Sequence, residues 1–144
     1  MWKALFLLLS FFALLYAQST ITGEADELIF SENKLTYKGN VRLVKDNSVL
    51  RATKVDIILN KEGKPIKVIA EGNVRIIEPE RQAFAEFAEY DLNTDVIYLR
   101  GNAKIQEKTK VLEADEITIY RKENRLVAKG NKKRIRTVYV EEKK

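Results

Sequence analysis

The chain has 144 residues, with 26 Lys and Arg against 21 Asp and Glu, which gives a net charge of +5 at pH 7. It contains neither Cys nor His, so it lacks the common nucleophile–base pairs and the usual zinc ligands. The basic residues are scattered along the chain, without a basic stripe or an aromatic platform, so a nucleic-acid-binding protein is not expected.

Residues 1–17 are predicted to be a secretory signal peptide. Lys3 is followed by a predominantly apolar run that ends at Ala17, a small residue that suits a cleavage point. The run is shorter than the ~20 residues that a membrane-spanning helix needs, and an uncleaved anchor is the alternative. We therefore expect residues 18–144 to form a single exported domain.

A Gly-Asn pair recurs four times inside similar words, namely YKGNVRL, AEGNVRI, LRGNAKI and AKGNKKRI. The glycines at positions 39, 72, 101 and 130 are separated by 33, 29 and 29 residues. A period of this size is typical of stacked supersecondary units.

Each Gly-Asn word lies in an alternating strand with one apolar and one polar face. In the second unit, Val68, Ala70, Gly72, Val74 and Ile76 all point the same way. Each long strand is preceded by a shorter strand and then a polar turn. The shorter strand has the pattern Ala-x-x-φ-x-φ, where φ is an apolar residue. Strict alternation predicts an all-β domain whose sheets have one dry face.

The glycines fall on the dry face, where a side chain would normally contribute to packing. Glycine inside a strand usually marks a bulge, a sharp bend or a close approach by another backbone. We therefore predict that each long strand bends at its Gly-Asn pair and continues in a facing sheet. Two antiparallel sheets joined at these corners would form a jelly-roll-like or solenoid sandwich.

Enzymatic activity is not expected, and no metal or cofactor is implied. Carboxylates at Asp26, Asp56, Asp91 and Asp115 recur at similar places in the repeat, and a pair of them could in principle serve a glycosidase. However, a residue that recurs in every unit serves the unit, whereas catalysis needs a constellation that occurs once.

Both ends of the repeat are predicted to present unpaired edge strands. These edges could be protected by terminal charges or could bind partners by strand addition, and the sequence leaves both possibilities open. The predicted edge residues are Ile21, Thr22, Gly23, Arg136, Thr137, Val138, Tyr139 and Val140.

The successive words GNVRLV, LRATKVDIIL, AEGNVRI, LRGNAKIQ and LEADEITIY resemble the OstA-like family over residues 21–140. The resemblance implies an open, twisted antiparallel β-jellyroll whose apolar interior holds the lipid A acyl chains of lipopolysaccharide. It further implies a periplasmic location and a soluble bridge that stacks head to tail. The implied partners are inner-membrane-anchored and outer-membrane proteins of the same fold, LptC-like and LptD-like. One departure from the family pattern is the long turn at residues 60–65.

The expected lipid-binding groove consists of apolar residues on the dry face. They are Leu28, Phe30, Leu35, Tyr37, Val41, Val55, Ile57, Val74, Ile76, Tyr90, Leu99, Ile105, Ile117 and Ile119. The alternative is that these residues close on each other as a packed core, as in a purely structural β-solenoid filament protein. A membrane-anchored C-type relative is the other alternative.

Overall fold

The computed structural model describes residues 21–141, so the predicted signal peptide lies outside the described residues. Within this range every regular element is a β-strand, as the alternation predicts. The strands are β1 (Ile21–Glu24), β2 (Glu27–Ser31), β3 (Lys34–Lys45), β4 (Ser48–Leu59), β5 (Pro65–Ile77), β6 (Arg81–Asp91), β7 (Val96–Glu107), β8 (Lys110–Tyr120), β9 (Arg125–Lys129) and β10 (Arg136–Tyr139).

The long strands β3 to β8 form an antiparallel meander in which each strand pairs with the next. The short strands cap the two ends of the meander: β1 and β2 both pair with β3, and β9 and β10 both pair with β8. The result is a ten-stranded sheet with two split edges.

The two short strands at each end occupy different halves of the same long strand. On β3, β2 pairs with Lys34–Lys38 and β1 pairs with Arg42–Lys45. The register of each long pair shifts between these halves. The sheet therefore bends along one line into two layers, as predicted. We call the half with β2 and β9 the first layer and the half with β1 and β10 the second layer.

The sequence predicts a shorter strand before each long strand, and this prediction is wrong for the central units. Strands β4, β6 and β8 are 12, 11 and 11 residues long, similar to the 12 residues of β3 and β7. Ala52 and Val55 on β4 are both buried although they are three residues apart. The Ala-x-x-φ spacing therefore marks a break in the alternation at the bend, and it does not mark the beginning of a strand.

Side chains in the turns satisfy backbone donors locally. In the long turn, Asn60 Oδ1 accepts hydrogen bonds from the backbone N–H groups of Glu62 at 2.9 Å and Lys64 at 3.0 Å. Asp91 Oδ1 likewise accepts from Asn93 and Thr94 at 2.9 and 3.1 Å, and these bonds lower the pKa of Asp91. Such caps are the usual role of Asn and Asp in turns.

Candidate functional site

Three of the four Gly-Asn pairs form the bends between the layers. In order along the chain, the glycine φ values are 82°, 83° and 86°, and the asparagine φ values are 48°, 47° and 48°. Consecutive left-handed residues are disfavoured for most side chains, whereas Gly and Asn tolerate them. The register shifts coincide with these pairs, so each pair is a β-bulge that turns its strand from one layer to the other.

A polar side chain packs against each bend glycine, from the link between β1 and β2 at the first bend and from β4 and β6 at the next two. A Cβ added at Gly39 would overlap the side chain of Asp26. A Cβ added at Gly72 would lie 2.5 Å from Thr53 Oγ1, and one added at Gly101 would lie 2.8 Å from Glu86 Cβ. These three polar residues each follow the Ala of the repeated Ala-x-x-φ pattern. Glycine is therefore required at the bends both for its backbone conformation and for its lack of a side chain.

This arrangement corrects the suggested equivalence of four aspartates. Asp26 and Asp115 each come directly after the alanine of the Ala-x-x-φ pattern and so occupy comparable places. Asp56 lies elsewhere and accepts a hydrogen bond from Thr36 Oγ1 at 2.6 Å. Asp91 caps a turn, as described above. The carboxylates thus serve three different local structures.

The fourth Gly-Asn pair lies in a loop between β9 and β10 rather than inside a strand, which corrects the sequence prediction. Asp115 Oδ2 accepts hydrogen bonds from the backbone N–H groups of Asn131, Lys132 and Lys133 at 2.6, 2.7 and 2.9 Å. The bonds from Lys133 and Asn131 are the main cause of a lowered pKa of Asp115. The carboxylate therefore fixes the loop that carries the chain into its last strand.

The inward-facing residues beside the bends form a packed seam. All are exposed by 8% or less, so the two layers meet closely along this line. The packed seam consists of Val41, Ala52, Val55, Ala70, Val74, Ala85, Ala88, Leu99, Ala103, Ala114 and Ile117. Small alanines predominate on β6, which lets the layers approach each other there.

Most inward-facing apolar residues farther from the bends are only half-buried. Because they point between the layers, we infer from their partial exposure that the layers diverge from the seam, and we take these residues as a candidate groove. The groove residues are Leu43, Leu50, Ile57, Val68, Ile76, Ala83, Tyr90, Ile97, Leu112 and Ile119. Leu35, Leu59 and Ile105 are exceptions to this gradient, since they are distant from the bends and yet buried.

The structure places all fourteen predicted groove residues on the inner face, but at different depths. Seven are buried, namely Leu35, Val41, Val55, Val74, Leu99, Ile105 and Ile117. Six are half-buried, namely Phe30, Tyr37, Ile57, Ile76, Tyr90 and Ile119, and Leu28 is 50% exposed. A ligand in the groove would therefore reach the second set and Leu28 without separating the layers.

Several groove residues were absent from that predicted set. Val68 and Ile97 line the first layer, and Leu43, Leu50 and Leu112 line the second layer. Their distance from the Gly-Asn pairs is the signal that could have identified them, because exposure of the inner face rises with distance from the bend.

Two tyrosines line the first layer without adding charge to the groove. Burial raises the pKa of Tyr37. Burial and a hydrogen bond from Tyr90 Oη to Asp95 Oδ1 at 2.8 Å raise the pKa of Tyr90. Both hydroxyl groups therefore stay protonated at neutral pH. Tyr37 also reaches the opposite layer, since an added Cβ on Gly23 would lie 3.0 Å from its ring.

Both split edges expose apolar side chains. On the N-terminal edge, Leu28 and Ile29 of β2 are 50% and 40% exposed. On the C-terminal edge, Leu126 of β9 and Tyr139 of β10 are 43% and 66% exposed. The predicted edge residues lie on β1 and β10, apart from Val140, which follows β10 and donates its backbone N–H to Thr109 O at 2.7 Å. Strands β2 and β9 are further edge strands that the sequence prediction did not include.

Two other kinds of site were sought among residues 21–141. No cluster of three or more His, Cys, Asp or Glu side chains is placed to hold a metal ion there. No helix in that part of the chain is long and apolar enough to cross a membrane.

Comparisons with known proteins give a family and a fold. A family model described as "LptA/(LptD N-terminal domain) LPS transport protein" matches residues 20–125. No curated protein matches the chain. The chain is similar to the crystal structure of LptH from Pseudomonas aeruginosa, described as the LptA-homologous periplasmic component of the conserved lipopolysaccharide transport device. The identity is 17% and the TM-score 0.74, over 84% of this chain and 95% of that chain, so the likeness supports the open β-jellyroll fold.

Proposed function

The chain belongs to the family of LptA and LptD N-terminal-domain lipopolysaccharide transport proteins, and from this premise we propose that it shelters lipid A acyl chains in its open groove. We place this activity in the periplasm, where the predicted signal peptide would direct the chain. The observation that carries the proposal is the row of half-buried apolar residues beyond the packed seam.

The groove would reduce the main free-energy cost of moving a lipid through water, which is the exposure of its acyl chains. Exposing an acyl chain costs about 0.8 kcal/mol per methylene, so a chain of about a dozen carbons costs on the order of 10 kcal/mol. One continuous wall is formed by residues that are directly paired on the neighbouring strands β4 to β8, namely Ile57, Val68, Tyr90, Ile97 and Ile119. Such a wall can cover a tail along its length.

The edges support a second part of the proposal, namely that copies of the chain stack head to tail. The C-terminal edge of one copy would pair with the N-terminal edge of the next, and both layers would continue across the junction. Repeated contacts between unlike edges build open filaments. Inner-membrane-anchored and outer-membrane partners of the same fold would pair with the two terminal edges by strand addition.

Photo-crosslinking tests the groove directly. A photoreactive amino acid at Phe30, Tyr37 or Tyr90 should form adducts with lipopolysaccharide, and deacylated lipopolysaccharide should form none. Glu89 is the matched control, because it is the neighbour of Tyr90 on β6 and points to the opposite face. Failure to form adducts at all three inward positions would reject the proposal.

Two alternative functions can each be distinguished from the groove proposal by a different measurement. A structural β-solenoid filament protein would assemble without taking up lipid, so it would give no adducts at any inward position. A membrane-anchored C-type component would retain residues 1–17, so the intact mass of the exported protein distinguishes it from a processed chain.

A further inference from the structure

The outer face of the second layer carries a mainly basic row, which Phe84 interrupts and which is bordered by Glu24 on β1 and Glu113 on β8. Its members are directly paired across five consecutive strands and lie beside the bends. They point outward, because each is next to an inward-facing residue of the packed seam or the buried Ile105. We call this set the cationic ladder: Arg42, Arg51, Arg75, Phe84 and Lys104.

The side chains of the cationic ladder are poorly neutralised within the part of the chain that the structure describes. Arg42 forms an ion pair with Glu24 at 3.4 Å. Arg75 and Lys104 lie over the Phe84 ring, 5.4 and 5.7 Å from its centroid. Between residues 21 and 141, the side chain of Arg51 has no ion-pair or hydrogen-bond partner, although it lies between Arg42 and Arg75. Like charges on directly paired residues are destabilising, so folding alone does not account for this row.

The first layer provides an internal comparison at the equivalent positions. The paired outward residues there are Lys38, Lys54, Glu71, Phe87 and Arg100, in the same strand order. The two rows share their pattern except on β5, where the first layer has Glu71 and the second has Arg75. Glu71 separates the charges of the first row, and Lys54 also pairs with Asp56 at 3.7 Å. Of the two rows, only that of the second layer therefore has three directly paired basic residues in succession, whereas the first layer has two.

The next outward row of the second layer is aliphatic beside the three arginines. Val44, Val49 and Ile77 are directly paired and half-buried. A shallow depression beside Arg75 and Phe84 is also lined by the polar residues Asn73, Glu86 and Asn102. The cationic ladder spans about 19 Å, from four strand spacings of ~4.8 Å. A flat cationic row of that length next to aliphatic side chains complements a plane of phosphates above apolar chains.

We propose that the cationic ladder docks the protein onto a bilayer surface that carries anionic phosphate headgroups. Arginine guanidinium groups donate in a planar fork that matches phosphate oxygens. Basic residues near an anionic bilayer are attracted within a Debye length, so the attraction depends on salt. The site lies on the outside of the closed seam, so it is separate from the acyl-chain groove and its occupation does not require the groove to be filled.

Vesicle flotation with the full chain tests this assignment. The protein should float with vesicles of phosphatidylcholine and phosphatidylglycerol at low salt, and not with phosphatidylcholine alone or at high salt. The double variant R51Q/R75Q should bind at least about tenfold more weakly, since each basic residue near the surface contributes about fivefold. The matched control K38Q/K54Q removes the same charge from the first layer and should bind like the natural chain.

Three outcomes would overturn the proposal. The first is no flotation of the natural chain with anionic vesicles. The second is equal loss in both double variants, which would indicate attraction by net charge. The third is full displacement by inorganic phosphate but not by chloride at the same ionic strength, which would indicate a site for a single phosphate ion. Lipopolysaccharide crosslinking at Tyr90 in the same variants should be unchanged, so failure of docking and failure of the groove can be told apart.

Discussion

Each bend glycine satisfies two separate requirements, and Gly72 allows them to be measured separately. Its φ is 83°, and Thr53 Oγ1 lies 2.5 Å from the place of an added Cβ. G72A should destabilise the fold by about 2–4 kcal/mol, from left-handed strain together with overpacking. In a T53G background the same change should cost less, because Thr53 Oγ1 and Thr53 Cβ, 2.5 and 2.7 Å from the added Cβ, are both removed and only the backbone strain remains. Urea unfolding of the four proteins measures both costs, and equal costs in the two backgrounds would contradict the packing role of Thr53.

Asp115 should make stability depend on pH. Its folded-state pKa is lowered by backbone hydrogen bonds, chiefly from Lys133, so the ionised form favours the folded state. This stabilisation is present above the unfolded-state pKa of about 4 and is lost as pH falls through the folded-state pKa. D115N should be less stable than the natural chain at pH 7, with the difference shrinking in acid. Unfolding curves across pH check this, and D46N, which removes a turn carboxylate, is the control.

At the scale of the strand, the burial of an inward-facing side chain should determine how much stability is lost when that side chain is truncated to alanine. Leu99 and Ile97 lie on the same face of β7, but Leu99 is 1% exposed in the packed seam and Ile97 is half-buried. L99A should cost about 2–5 kcal/mol, as cavity-forming changes do. I97A should cost about 1–2 kcal/mol, because its side chain already contacts water. Equal costs in denaturant unfolding would mean that the layers close completely over β7.

The alternation through the first three Gly-Asn words was sufficient to predict the sheet faces, and their glycines were sufficient to predict the bends, whereas the fourth word lies in a loop. The Ala-x-x-φ pattern misled, because a break in alternation at a bulge has the same sequence signature as the beginning of a strand. The depth of each groove residue could not be predicted from alternation. Val41 and Ile57 are both apolar and inward-facing, and only the divergence of the layers makes Val41 buried and Ile57 accessible.

At the scale of the whole molecule, the split edges should control association. Leu126 and Tyr139 expose apolar surface on the two strands of the C-terminal edge. The double variant L126E/Y139E should remain monomeric at concentrations at which the natural chain associates, because charges on an edge oppose strand pairing. Sedimentation velocity over a concentration series measures this. Q82E on central strand β6 is a charge control, and a natural chain that remains monomeric throughout would contradict head-to-tail stacking.

The accessibility of the inner face to an acyl chain can be measured on one strand. The chain contains no Cys, so a single Cys can carry a polarity-sensitive fluorophore. Val68 and Ile69 are neighbours on β5 and face the groove and the outer surface, respectively. On addition of lipopolysaccharide, the emission of a probe at V68C should shift to the blue and that of a probe at I69C should not, with neither responding to the deacylated form. The absence of a shift at position 68, or equal shifts at both positions, would contradict the groove.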